Sequence, residues 1–148
     1  MTALATFDKS KRDESIATLK KHVTDLPQTA LKTTHLVHGG MYARTIFIPA
    51  GVVLVGAKTK IENICIVSGD ITVSTDTGIV RLTGYHVIPA DAGYSRGGFA
   101  HSDTYWTTIL PTDLHDVSLI EDAMTDESNA LQTRKSRLCG DLHKTIKA

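Results

Sequence analysis

The sequence predicts a mainly β protein, an antiparallel sandwich or barrel with helices at both ends. Three observations point there. From about Arg44 to Leu110 the chain breaks into short β-branched runs: RTIFI, VVLVGA, IENICIV, ITVST, IVRL, YHVI and TYWTTIL. Turn signals separate them at Pro49-Ala50-Gly51, Ser68-Gly69-Asp70, Asp76-Thr77-Gly78, Thr83-Gly84 and Pro89 through Gly93. Strands of that length, broken roughly every eight to twelve residues by Gly or Pro, suit sandwiches and barrels. Outside this span the apolar residues recur at helical spacing instead.

Residues 8–27 form the predicted N-terminal helix. Ile16, Leu19, Val23 and Leu26 make one stripe, Ser10 and Asp13 are candidate caps, and Pro27 stops it. The barrel is expected over 35–111, with ITVST and IVRL joined through Asp76-Thr77-Gly78 as its clearest hairpin. A helical C-terminal arm over 112–148 follows. Thr112 or Asp113 caps a segment carrying Leu114, Val117, Ile120 and Met124, a second segment starts near Asp126, and a tail runs from about Ser136. The 148 residues fit a single domain.

Composition narrows the function classes. Sixteen basic and sixteen acidic residues cancel, so no global field draws the protein to nucleic acid or anionic membrane. The basic run Arg134-Lys135-Ser136-Arg137 is the one local patch. No apolar run approaches the ~20 residues of a membrane-spanning helix, and the N-terminus has no hydrophobic signal core. Cys65 and Cys139 are too few and too far apart for a disulfide framework or zinc cluster. Cys65 reads as a small core side chain, and the whole as a reduced, cytosolic protein.

The stretch VGAKTKIENICIVSGD resembles the first motif of the cupin superfamily, small barrels of double-stranded β-helix or jelly-roll type. In that motif a glycine is followed by two histidines one residue apart, a glutamate, and after six residues a turn glycine. Gly51, Glu62 and Gly69 occupy the glycine, glutamate and turn positions. Gly84-Tyr85-His86-Val87-Ile88-Pro89-Ala90-Asp91-Ala92-Gly93 looks like the second motif's turn, with His101 following later than in the family. More narrowly, HGGMYARTIFIPAG, SGDITV, LTGYHVIPA and HSDTYWTTILPTD look like uncharacterised cupin-like proteins of bacteriophages, over residues 35 to 120. The resemblance implies a cupin-like barrel and, for a phage protein, residence in the host cytoplasm.

The chain departs from the family where the metal is held. Counted from Gly51, the histidine pair falls on Ala57 and Thr59, or one residue on, at Lys58 and Lys60. Ammonium groups offer donors and no lone pair, and would repel a divalent cation. The leading expectation is therefore a metal-independent module, with no cofactor, that binds a small anionic or nucleotide-like ligand. For a phage protein, sequestering a host signalling nucleotide is the special case.

Lys58 and Lys60 share one face of an alternating segment, so both enter the barrel mouth or both lie on the surface. Arg44, Arg81 and Arg96 are candidates for bidentate anion recognition. The glycine-rich stretch 93–103 offers Tyr94, Arg96 and His101, and Trp106 is a candidate aromatic wall. The rival is a metal-dependent enzyme using His35, His38, Glu62 and His101 around one divalent transition metal. A third reading is a virion or assembly protein with the barrel as scaffold. Neither a nucleophile elbow nor a P-loop occurs, so whether any reaction is catalysed rests on geometry. A homo-oligomer is expected, because such a sheet leaves edges and one apolar face uncovered.

Overall fold

The computed structural model describes residues 8–75 and 77–134. Asp76, Lys135 to Arg137, Cys139 and the expected tail lie outside them. The elements are α1 (Lys9–Thr24), β1 (Thr33–His38), β2 (Met41–Ile48), β3 (Val53–Val55), β4 (Asn63–Thr75), β5 (Gly78–Ala90), β6 (Gly97–Ala100), β7 (Thr104–Pro111) and α2 (Val117–Met124), then a 3-10 turn at Ser128–Ala130.

All strand pairs are antiparallel, in the order β1-β2-β7-β4-β6-β3, with β5 on the other side of β4. Two expected turns are not turns. IENICIV and ITVST merge into β4, and IVRL and YHVI merge into β5, paired without a break from Asn63↔Ala90 to Thr75↔Gly78. Ser68-Gly69-Asp70 and Thr83-Gly84 instead face each other across this hairpin, Gly69 against Gly84, with φ of 149° and 85°. Glycine at both places lets the two strands bend together while their ladder continues.

The bend changes partners. Before it, Ile64–Ser68 of β4 pair with β7; after it, Ile71–Val73 pair with β6. The sheet thus curls into two leaves. One holds β1, β2, β7 and the first half of β4; the other holds the second half of β4, β6 and β3. Their inner faces meet in a core of Ile48, Val67, Ile71, Val73 and Ala100. Alternation in β4 carries through the bend, so Cys65, Val67, Ile71 and Val73 all point inward.

Sequence periodicity missed two strands. THLVH is β1, closed onto β2 by Gly39-Gly40, whose φ values of 61° and 75° suit a type I′ hairpin turn. GGFA of the glycine-rich stretch is β6, too short to show alternation.

The N-terminal helix is shorter than expected, and the first helix of the C-terminal arm starts later. Asp8 caps α1, accepting from the Ser10 and Lys11 N–H groups. The chain leaves the helix after Thr24, three residues ahead of Pro27. Pro111 still pairs with Met41, and Thr112 N–H donates to the Gly40 carbonyl, so the helix after β7 starts later, with Asp116 as its cap. Near Asp126 a 3-10 turn forms at Ser128–Ala130, and residues 132–134 are helical where the described residues end. A second core of Tyr42, Leu110, Ile120 and Met124 docks α2 on the inner side of β2 and β7.

Gly69 cannot carry a side chain. A Cβ there would lie 2.4 Å from Thr104 Oγ1 and 2.8 Å from the Asp103 carbonyl oxygen, whereas a Cβ at Gly84 meets nothing within 4 Å. Gly69→Ala is expected to cost about 2–4 kcal/mol, from overpacking and backbone strain together. Gly84→Ala should cost only the backbone part, ~1–3 kcal/mol. Urea melts of the two variants measure the difference, and equal losses would contradict this account.

Candidate functional site

Arg96 is a candidate cation that the fold aims inward without a carboxylate partner among the described residues. It closes the loop ahead of β6, where its carbonyl accepts from Gly56 N–H. Its guanidinium lies over the Tyr94 ring at 5.5 Å and the Trp106 ring at 5.8 Å. Nη2 donates to the Pro89 carbonyl at 3.0 Å and to the Tyr94 hydroxyl at 2.8 Å. Nη1 is buried and has no hydrogen-bond partner among the described residues. Two aromatic faces and two hydrogen bonds thus hold a planar cation still, with one donor unspent.

Beside it is a cavity of about 250 Å³, lined by Thr75, Thr77, Val80, Leu82, Ile88, Pro89 and Arg96. Val80, Leu82 and Ile88 are successive inward residues of β5. Read as one strand through Thr83-Gly84, the alternation of IVRLTGYHVI puts all three on one face. Read as two strands it does not, which is why they escaped the sequence analysis. Cys65 is buried nearby, and burial pushes its thiol up, outweighing the Arg96 charge and the hydrogen bonds with Thr108 and Trp106 that favour the thiolate. A thiol held protonated is a packing group.

Lys58 and Lys60 are both exposed, on the irregular crossing between β3 and β4. This segment is a clasp for the C-terminal arm. Lys58 N–H donates to Glu127, the Thr125 hydroxyl donates to the Lys58 carbonyl, and Lys60 N–H donates to the Met124 carbonyl. Lys60 Nζ pairs with Asp126 at 2.8 Å. Neither ammonium enters the space between the leaves, so the cationic mouth expected from them is not formed.

Arg44 does point inward, but its charge is taken. Its Nη1 lies 3.1 Å from Oε2 of Glu121, a fully buried carboxylate that also accepts from Thr133 and pairs with Arg134. Glu121 lies on the α2 stripe, four residues after Val117 and three before Met124. A charge at such a position was the available signal for a buried partner. Arg81 is on the outer surface, bidentate to Asp70.

The alternative metal ligands do not converge. His35 faces inward from β1 and shares a hydrogen bond of 2.6 Å with Tyr42, whereas His38 is on the opposite face. His101 follows β6, on the other leaf from β1. There it is exposed, bonded to Thr72 and edge-on to Phe99. Glu62 is exposed at the start of β4. Among the described residues no three His, Cys, Asp or Glu side chains are grouped to hold a metal ion.

No family model matches the chain, and no curated protein does. Solved structures do. A cupin superfamily protein from Desulfitobacterium hafniense is 11% identical, with 60% of this chain and 84% of that one covered, at a TM-score of 0.48. KdgF from Halomonas sp. is 16% identical over 57% and 82%, at 0.48. The cupin domain of Schizosaccharomyces pombe Cnp3 is 20% identical over 61% and 66%, at 0.46. The structural neighbours thus include cupin-domain proteins, and none points to a bacteriophage. The fold is mainly β, a curled antiparallel sheet with an N-terminal helix. No helix of the described residues is long and apolar enough to cross a membrane.

Glu127 ties three parts together, accepting from Lys20 of α1 and from Lys58 N–H of the crossing. Burial raises its pKa, but these bonds and the two lysine charges outweigh it, leaving the carboxyl below its ordinary value of 4.5. A depressed folded pKa means stability that is present above the unfolded value and lost as pH falls. Thermal melts should therefore fall as pH drops below about 4.5, and Glu127→Gln should flatten that part of the profile. Parallel profiles for the two proteins would remove Glu127 from this role.

Proposed function

We propose that this protein binds a small carboxylic acid with an apolar body, seated between the leaves with its carboxylate on Arg96. The unspent Nη1 donor carries the reading, because an unsatisfied buried donor costs ~1–3 kcal/mol that an accepting ligand oxygen relieves. The rest of the cavity agrees with it. Beyond Arg96 the lining is aliphatic, with proline and two threonines, which suits a hydrocarbon body and a few hydroxyl contacts.

Size decides between anions. Drug-sized ligands occupy pockets of roughly 300–1,000 Å³, and about 250 Å³ favours a small acid over the nucleotide-like ligand. The chemistry favours holding over turnover: among the described residues no carboxylate, imidazole or thiol lines the cavity with the guanidinium. General acid–base and nucleophilic routes both need such a group within hydrogen-bond reach of the reacting atom.

Isothermal titration with benzoate, hexanoate and inorganic phosphate tests the reading. Saturable binding of one or both carboxylates, and weaker phosphate binding, is the expected result. Arg96→Gln should weaken the carboxylate roughly tenfold to a hundredfold, the worth of a charge-assisted hydrogen bond. Lys58→Ala and Lys60→Ala should leave it unchanged. Failure of both carboxylates to bind, or undiminished binding by Arg96→Gln, overturns the proposal.

A further inference from the structure

Among the described residues, six of the twelve exposed large apolar side chains stand on the outer surface of the larger leaf. Leu36, Met41, Ile64, Tyr85, Val87 and Tyr105 are each between 50% and 68% exposed. They are not scattered. Strand register sets them in rows across five neighbouring strands, one row running Leu36, Ala43, Ile109, Ile64, Pro89. Another sets Phe47, Tyr105, Ser68 and Tyr85 side by side, with the Phe47 and Tyr105 rings 5.1 Å apart. The hydroxyls of Thr45 and Thr107, in the middle of the face, bond each other at 2.8 Å and so ask nothing of a partner.

No outward position of this leaf on β1, β2, β7, β4 or the second half of β5 is Asp, Glu, Lys or Arg. Among the described residues charges stand at the rim, Glu62 and Asp91 beyond one end, with Lys32 beside Phe47 and the Asp70–Arg81 pair toward the other. An apolar centre with a polar rim is the anatomy of a protein interface.

We infer that this face packs against the same face of a second copy of the chain, making a twofold dimer. Area supports it. Five strands at ~4.8 Å by about seven residues at ~3.3 Å give roughly 550 Å² in projection. Side chains standing on a pleat add to that, toward the ~800 Å² per partner of a standard interface. It also reaches the upper range of the largest patch a monomer usually shows, ~300–600 Å².

The missing charge selects the occupant. A membrane-binding face would carry a fringe of several Lys or Arg, whereas this rim mixes carboxylates with a single lysine, Lys32, and one arginine already paired with Asp70. A different protein would be chosen by charge complementarity, and the face has none to offer. An uncharged face is compatible with itself under a twofold axis, where each patch must meet its own copy.

Sedimentation velocity on the full chain, from micromolar to hundreds of micromolar, tests the inference. The wild type should be dimeric, and Ile64→Lys and Val87→Lys should each shift it to monomer with unchanged far-ultraviolet dichroism. Ile79→Lys, on the outer side of the other leaf, should remain dimeric. Carbene footprinting of the unmodified chain should show Tyr85 and Tyr105 losing label as concentration rises, a readout that does not depend on variants folding. A monomeric wild type at every concentration overturns the inference. So does a dimer that survives both lysine variants, or one whose protected residues lie elsewhere.

Discussion

The architecture depends on one close approach. At Gly69 the backbone of the long hairpin lies against Thr104 and Asp103, nearer than any side chain would permit. Thr104 answers from the start of β7, its hydroxyl accepting from Asp70 N–H and donating to the Ser102 and Asp70 carbonyls. Here β4 exchanges β7 for β6 while β5 follows it on the other side. Without this corner the two leaves would form one open sheet, and the inward residues on either side of it would not meet. The core, the cavity beside Arg96 and the broad outer face all follow from that fold-over.

Carboxylates then secure the outer elements. Glu121 is buried against Arg44 and Arg134 and brings α2 onto β2. Glu127 joins α1 to the crossing between β3 and β4. Buried ionic contacts of this kind specify geometry more than they add stability. They also decide which cations stay available. Arg44, Lys60, Arg81 and Arg134 are each engaged by a carboxylate, while Arg96 is held by aromatic rings and neutral acceptors. A guanidinium with no carboxylate partner beside an aliphatic cavity remains suited to an outside anion.

Much of this was legible in the sequence. The β-branched runs and their turn residues marked the sheet, and the first hairpin across Thr77-Gly78 was visible as two alternating segments. Tyr94, Arg96 and His101 stood out in the glycine-rich stretch and Trp106 as a separate aromatic wall. The structure brings Tyr94, Arg96 and Trp106 together and leaves His101 exposed beside Thr72. Glu62 and the lysines also stood out, by their place in a motif, and the structure leaves them exposed. Motif spacing counts residues along a strand, but Lys58 and Lys60 are not on a strand. Strand parity therefore does not apply to them; their placement was set by the C-terminal arm, more than sixty residues away.

What the sequence by itself determined was local: which segments extend, which coil, and which residue types were available to meet an anion. Those properties follow from side-chain sterics and periodicity within a few residues. Only the tertiary structure decided that Gly69 and Gly84 bend a continuous hairpin instead of ending four strands, because that outcome needs Thr104 to arrive from elsewhere in the chain. It likewise decided which charges pair off, since ion pairing depends on distance in space and the partners of Arg44 and Lys60 are remote along the chain.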